Sequence, residues 1–379
     1  MQADNSAGLY VHIPFCLSKC RYCDFNSYPV SDFREVISYY TDTLLEELRI
    51  KAKDIPVKTV FIGGGTPTVL PEVELDKILT GLSKFAKIIE NAEFSVEANP
   101  GTLTLNKLKM MRKAGVNRLS IGMQSTDDKV LKLFGRPHDY KKFLESYKMV
   151  RDAGFTNVNI DLIFGAPGQK LSGIKKDLER TVNLFPEHIS IYNLILEEGT
   201  PLCVDVKKGV LSPLSENLEA DMYYFIKDYL EKAGYKHYEI SNFAKHGKEC
   251  EHNKIYWKNE DYLGVGAGAS GKIGLNRTEN IEDVKQYIVL IKDIKNDILR
   301  NQKISRETEI SETVFLSLRM LEGLNLTTFK ERFGKDFFIL FEKQYNKLLD
   351  LKLLKEENGS VKLTRTGLFL SNEVFVEFV

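Results

Sequence analysis

No stretch of the sequence approaches the roughly 18–20 consecutive apolar residues that a membrane-spanning helix needs. The opening MQADNSAGLY has neither the basic start nor the apolar centre of a signal peptide. A soluble, cytoplasmic protein is expected. An excess of charge is also missing: Lys and Arg total 53, and so do Asp and Glu. No overall basic field exists to gather nucleic acid or an anionic membrane surface, so partners must be recognised locally. Repeats and low-complexity tracts are absent, and the 379 residues suit about two or three ordinary domains at roughly 100–200 residues each. Cysteine is scarce, with five in all, yet three fall within eight positions: Cys16, Cys20 and Cys23. Dispersed pairs would suggest a disulfide framework; this clustering suggests a metal.

From residue 8 to about 194 a short β-branched run, a Gly/Pro/Asn-rich junction and an amphipathic stretch alternate, which predicts a series of βα units. The strand candidates are Leu9–Ile13, Thr59–Ile62, Glu93–Glu97, Arg118–Ile121, Asn157–Phe164 and Ile189–Leu194. Between them, sets such as Tyr39, Leu44, Leu45, Leu48 and Leu75, Ile78, Leu79, Leu82 recur at helical spacing. Right-handed crossovers make the sheet parallel. Six units are too few for a closed eight-stranded barrel, so an incomplete (βα)6 TIM-like barrel is expected, with a doubly wound sheet as the alternative. Either way, ligands gather at the strand C-termini.

Residues 201–279 read as an irregular extension, with a helix near Glu216–Lys232, a strand near Tyr235–Ile240 and a glycine-rich stretch Gly264–Gly271. Helical periodicity dominates from about Asn280, and Glu356-Glu357-Asn358-Gly359 then separates two short strand-like runs. Residues 280–379 are thus expected to form a helical, winged-helix-like domain. Residues 305–379 hold 11 Lys/Arg against 12 Asp/Glu, too little positive charge for DNA binding.

The most specific motif is Cys16-Leu-Ser-Lys-Cys20-Arg-Tyr-Cys23, directly after the first strand. Three thiolates on one tight loop can each bind one iron of a cubane cluster, leaving the fourth iron open for chemistry. The alternative is structural zinc, with His12 completing a Cys3His set. Gly63-Gly64-Gly65-Thr66-Pro67 ends the second strand, where glycines let backbone approach a ligand or simply make a turn. Glu97, Gln124 and Asp161 place polar groups at three further strand ends, either as caps or as walls of a binding site.

These motifs resemble those of the radical S-adenosylmethionine (SAM) enzymes, in which such a loop holds a 4Fe-4S cluster that cleaves SAM reductively. Tyr22 before the last cysteine and the glycine segment match as well. The resemblance narrows to the branch of oxygen-independent coproporphyrinogen III oxidases, or dehydrogenases, and their heme-carrying relatives. It covers Leu9 to about Gly271, and the C-terminal part more loosely. It implies SAM binding by Tyr10, Gly64, Gly65, Thr66, Glu97, Gln124, Arg136 and Asp161, with Arg136 meeting the carboxylate unless it forms only a surface ion pair.

Two departures favour a heme chaperone over the dehydrogenase. Cys23-Asp24-Phe25 stands where the dehydrogenase extends the motif to a fourth cysteine, and only nine residues precede Tyr10. A positive match is His252-Asn253-Lys254-Ile255-Tyr256-Trp257, the HNxxYW of the heme-binding group, which holds the only Trp of the chain. His252 is the candidate axial ligand of heme, Cys250 an alternative, and a structural histidine among core aromatics the plain reading. The resemblance further implies a heme-acceptor protein, such as a membrane-bound respiratory enzyme, and a small electron-donor protein. Gly266–Gly271 formally satisfies GxGxxG, but its setting does not suit dinucleotide binding.

Overall fold

β-Branched residues suit a pleated surface packed on both faces, and all six expected strands form in the computed structural model, which describes residues 6–292 and 299–379. They are β1 Ala7–Ile13, β2 Pro56–Gly64, β3 Lys87–Ala98, β4 Arg118–Gln124, β5 Val158–Phe164 and β6 His188–Asn193. They pair in parallel, each beside the next in chain order. The order is unbroken from β1 to β6, without the reversal at a switch point that marks a doubly wound sheet.

The two faces differ in chemistry. Leu9, Val11, Ile13, Val60, Ile62, Val96, Ile121, Ile160 and Ile189 point to one side and join the core with Leu44, Leu48, Leu75, Ile78 and Leu82 of helices Ile37–Lys51 and Glu72–Phe85. Burying each such side chain contributes about 1.5–3 kcal/mol. Tyr39, expected on that face, is exposed, and Tyr40 is buried in its place. The step from 40 to 44 to 48 keeps one helical face, whereas five residues from 39 to 44 do not. The opposite face, by period-two alternation, carries Tyr10, His12, Phe61, Glu97, Arg118, Ser120, Asn159, Asp161 and His188.

The extension is more regular than expected. β7 Lys236–Glu239 and β8 Asn242–Ala244 form a hairpin on β6. At the other end β9 Tyr262–Val265 pairs in parallel with β1, and β10 Ser270–Ile273 and β11 Asn276–Asn280 follow antiparallel. Gly266–Gly271 therefore does follow a parallel strand, but it turns into β10 and opens no helix. A Cβ on Gly264 would lie 2.0 Å from Ser270 O, and one on Gly266, whose φ is +102°, 2.5 Å from His12 O. These glycines let backbones approach.

Helical periodicity from Asn280 first takes shape as Val284–Lys292 and is then interrupted. Residues 293–298 lie outside the described residues, as does the MQADN start. β12 Leu299–Lys303 then adds a polar edge strand to β11, completing the order β12-β11-β10-β9-β1-β2-β3-β4-β5-β6-β8-β7. The C-terminal part has helices Arg306–Ser317, Leu326–Phe333 and Phe337–Asp350 with a small sheet β13 Leu324–Asn325, β14 Leu354–Glu357 and β15 Ser360–Leu363, in the order β13-β15-β14. This is a winged-helix-like arrangement. Among the described residues no helix is long and apolar enough to cross a membrane.

Candidate functional site

The cysteine loop leaves β1 and is fastened at several points. Phe15–Cys16 pairs with Tyr28–Pro29, closing the loop at its base. Arg21 N donates to Phe134 O and Leu202 N to Arg21 O, each at 2.9 Å, and Arg21 forms an ion pair with Asp205. Asn26 Nδ2 donates to the carbonyls of Ala267 and Glu282 at 3.2 and 3.0 Å. Residues remote in sequence thus hold one loop in one shape.

Cys16, Cys20 and Cys23 line a cavity of about 460 Å³ at the C-terminal ends of the parallel strands. Its walls include Gly64 at the end of β2 with Gly65 and Thr66 after it, Glu97 from β3, Gln124 from β4 and Asp161 from β5, together with Arg136. Gln124 has φ +70°, a left-handed conformation that costs a non-glycine residue energy and recurs at binding sites. The glycines also serve packing: a Cβ on Gly64 would meet the His12 ring at 2.6 Å, and one on Gly65 the Phe15 carbonyl oxygen at 2.7 Å. Thr66 Oγ1 accepts from Asn99 Nδ2 at 2.7 Å and approaches Cys16 Sγ at 3.6 Å.

Arg136 is no surface ion pair. Nη1 lies 3.3 Å from Cys20 Sγ, while Nη2 donates to Gly122 O at 2.8 Å and to Asn99 Oδ1. Its charge thus faces the cysteine loop. Burial, followed by the Asp161 charge, pushes the Glu97 carboxyl up to about 8, and Gly64 N donates to it at 3.1 Å. Burial also raises Asp161, against the hydrogen bonds from Ser120 and Asn159. Two carboxyls in one low-dielectric pocket favour a ligand bearing positive charge and hydroxyl donors.

Burial pushes the Cys16 and Cys23 thiols up, so these sulfurs need a cation to become thiolates. Zinc would require four donors converging on one point. Among the described residues no three His, Cys, Asp or Glu side chains do so. His12, weighed as the fourth ligand, has Nδ1 2.9 Å from Tyr10 OH and Nε2 2.9 Å from Asn26 O. The donor set fits a cluster that takes one cysteine at each of three irons, and the carboxyl-lined space beside it could hold a cationic cosubstrate.

Tyr10 and His252 do not line this cavity. Tyr10 reaches the cysteine loop through His12, whose Nε2 lies against Asn26 O. His252 is 1% exposed, with Nδ1 2.7 Å from Thr59 Oγ1 and Nε2 2.8 Å from Tyr256 OH. Burial, then the Arg118 charge, lowers its pKa to about 3. Both nitrogens of this candidate ligand are thus engaged. Its helix, Glu251–Trp257, is capped by Glu93 of β3, whose carboxylate accepts from the N–H groups of Glu251 and His252 at 3.0 Å each. Cys250 is fully buried, with Sγ 3.5 Å from Glu93 Oε1.

Asn99, Ser120 and Tyr192 also line the cavity and escaped the sequence reading. Asn99 was within reach, two residues past Glu97 at the same strand end. Ser120 and Tyr192 carried only the weaker signal of period-two alternation.

Residues 10–181 match the Radical SAM superfamily, and residues 304–370 match the HemN C-terminal domain. The fold is similar to that of a solved coproporphyrinogen III oxidase (HemN) from Escherichia coli, described as a radical SAM enzyme. The TM-score is 0.86 at 25% identity, over 99% of this chain and 90% of that one. Strand order, cysteine loop and cavity are those of a radical SAM protein. Two bacterial proteins named heme chaperone HemW are similar over nearly their whole length. That of Bacillus subtilis (strain 168) is 40% identical over 98% of both chains; that of Lactococcus lactis subsp. lactis (strain IL1403) is 37% identical over 100% of this chain and 98% of its own. The chain belongs to the HemW family.

Proposed function

We propose that this chain is a heme chaperone, which binds heme and delivers it to an acceptor protein, built on a radical SAM scaffold. The observation that carries this reading is the 40% identity, over 98% of both chains, to a protein named for that role, against 25% to the oxidase. In this reading Cys16, Cys20 and Cys23 hold a 4Fe-4S cluster, which when bound supplies one-electron chemistry through its open iron. Gly64, Gly65, Thr66, Glu97, Gln124, Arg136 and Asp161 form the SAM pocket, and Tyr10 supports it through His12. Glu97 and Asp161 accept ammonium and hydroxyl hydrogens, while Arg136 places its charge beside Cys20. We assign residues 1–200 to the partial barrel, 201–279 to the heme-motif extension and 280–379 to the C-terminal domain.

His252 is the heme ligand of this proposal. Because Thr59 and Tyr256 occupy its nitrogens, ligation requires helix Glu251–Trp257 to lift from the sheet. We further propose a cytoplasmic setting, a membrane-bound respiratory enzyme as acceptor and a small protein as electron donor. The second reading, an oxygen-independent coproporphyrinogen III dehydrogenase, is favoured by the TM-score of 0.86 alone. Anaerobic reconstitution of the full chain, a heme titration and a coproporphyrinogen III assay test the two together. Stoichiometric heme binding without turnover is expected. Conversion to protoporphyrinogen IX with release of carbon dioxide would overturn the chaperone reading.

A further inference from the structure

On the polar face of the sheet, a chain of hydrogen bonds joins Asp161 in the cavity to the start of helix Glu251–Trp257. A single group fixes its polarity. Asp161 accepts from Asn159 Nδ2 at 2.7 Å and from Ser120 Oγ at 2.9 Å. An ionised carboxylate only accepts, so Asn159 must turn its amide nitrogen toward Asp161, and that nitrogen also reaches Ser120 Oγ at 2.7 Å. Asn159 Oδ1 therefore faces His188 Nδ1, 2.6 Å away, and Nδ1 must carry the proton. His188 Nε2 is left to accept from Tyr238 O–H at 2.8 Å. The Tyr238 oxygen in turn accepts from Cys250 N–H at 3.2 Å. Every donor points toward Asp161.

This alignment is built into the sheet. Ser120 lies opposite Asn159, and Asn159 opposite His188, in the parallel ladders of β4, β5 and β6. Ser120, Asn159, His188, Tyr238 and Cys250 are all buried, so no bulk water competes for these bonds. Arg118, 2% exposed, lies within electrostatic reach of both Asp161 and Glu93 and balances the carboxylates at the two ends.

We propose that Asn159, His188 and Tyr238 are positioning residues, which aim the Asp161 carboxylate into the cavity and make its occupancy by a ligand strengthen the docking of residues 250–257. The proposal rests on the reading of Asp161 as a SAM contact. A ligand hydroxyl on Asp161 fixes the carboxylate in one orientation, which fixes Asn159, the His188 tautomer and the Tyr238 hydroxyl in turn. By reciprocity, a docked segment raises affinity at Asp161 by the same factor.

The test uses the full-length, cluster-reconstituted protein and S-adenosylhomocysteine, which binds without being cleaved. Calorimetry gives affinity, and hydrogen–deuterium exchange reads the amides of residues 250–257. Ligand should slow exchange there in the unaltered protein. Tyr238→Phe removes the linking hydroxyl without touching the cavity; affinity should fall about fivefold, the worth of one hydrogen bond, and the ligand-induced protection should vanish. His188→Leu should act likewise, whereas His188→Gln, which can still donate to Asn159 and accept from Tyr238, should restore both. Should His188→Leu fail to fold, Tyr238→Phe decides. Wild-type affinity and protection in Tyr238→Phe would overturn the relay, as would unchanged or faster exchange on binding to the unaltered protein. No binding to the unaltered protein would overturn the cofactor reading and the relay with it.

Discussion

Glu97 holds its proton to an unusually high pH for a carboxyl group, and this has a measurable consequence. Its value rises from an ordinary 4.5 to about 8, through burial first and the Asp161 charge second. Between those values the native chain retains a proton that the unfolded chain has released. Stability of the ligand-free protein should therefore fall as pH rises through this window and level off above it. Glu97→Gln should flatten the dependence of the thermal midpoint on pH, and an unchanged slope would assign the effect elsewhere. Asp161→Ala should weaken SAM binding by on the order of 1–3 kcal/mol while iron content stays constant, as measured by calorimetry. Replacing Cys16, Cys20 or Cys23 by Ala should remove about four irons per chain, read by metal analysis after anaerobic purification. Glu97 and Gln124 were legible in the sequence because they interrupt apolar strands near their ends, and Asp161 because it breaks an apolar run, although it sits in the middle of β5 and not at its end. Asn159 and His188 were not: a polar residue where a strand begins looks the same in sequence whether it faces water or a buried network. Arg118 gave no signal at all, since nothing in its neighbours foretells a fully buried guanidinium.

At the scale of the element, helix Glu251–Trp257 is too short to be stable alone, since isolated helices under about 12–15 residues are marginal. The Glu93 carboxylate compensates by accepting from its first N–H groups. Glu93→Ala should cost about 0.5–2 kcal/mol, the loss of a helix-capping acceptor, and should speed amide exchange across the helix. If His252 must be uncovered to meet iron, heme uptake followed by stopped flow should saturate in rate as heme concentration rises, and Glu93→Ala should raise the plateau. A rate that climbs without limit would mean that heme meets a surface already exposed. The six parallel strands from β1 to β6 were legible because apolar alternation and turn residues agree there, although β3 begins at Lys87 and not at Glu93, and the parallel strand β9 was not foreseen. The strand at 236–239 was legible too, but the segments 242–244 and 299–303 were not, because strands of three to five residues take their structure from the neighbour they pair with. β12 even reads as part of a helical stretch until β11 lies beside it.

For the whole molecule, the C-terminal domain matters through what it touches. Arg332 donates to the carbonyls of Lys258 and Asn259 at 3.0 and 2.9 Å and pairs with Glu309 at 3.0 Å, while Arg319 lies over the Trp257 ring at 4.3 Å. Its near-neutral charge leaves it without a phosphate footprint, and its contacts bear on the segment that carries His252. Arg332→Ala should lower the denaturation midpoint and increase exchange at 251–257 without altering SAM affinity by more than the reciprocal coupling allows. The sheet adds a constraint of another kind. β1 finds one parallel neighbour at residues 56–64 but the other only at residues 262–265, and Asn26 is tied to the carbonyls of Ala267 and Glu282. During synthesis the ribosome has made the cysteine loop long before it makes the backbone that clamps that loop. A nascent chain of some 250 residues therefore carries three thiols with no finished seat for iron, and that seat can close only after residues 262–282 have been made.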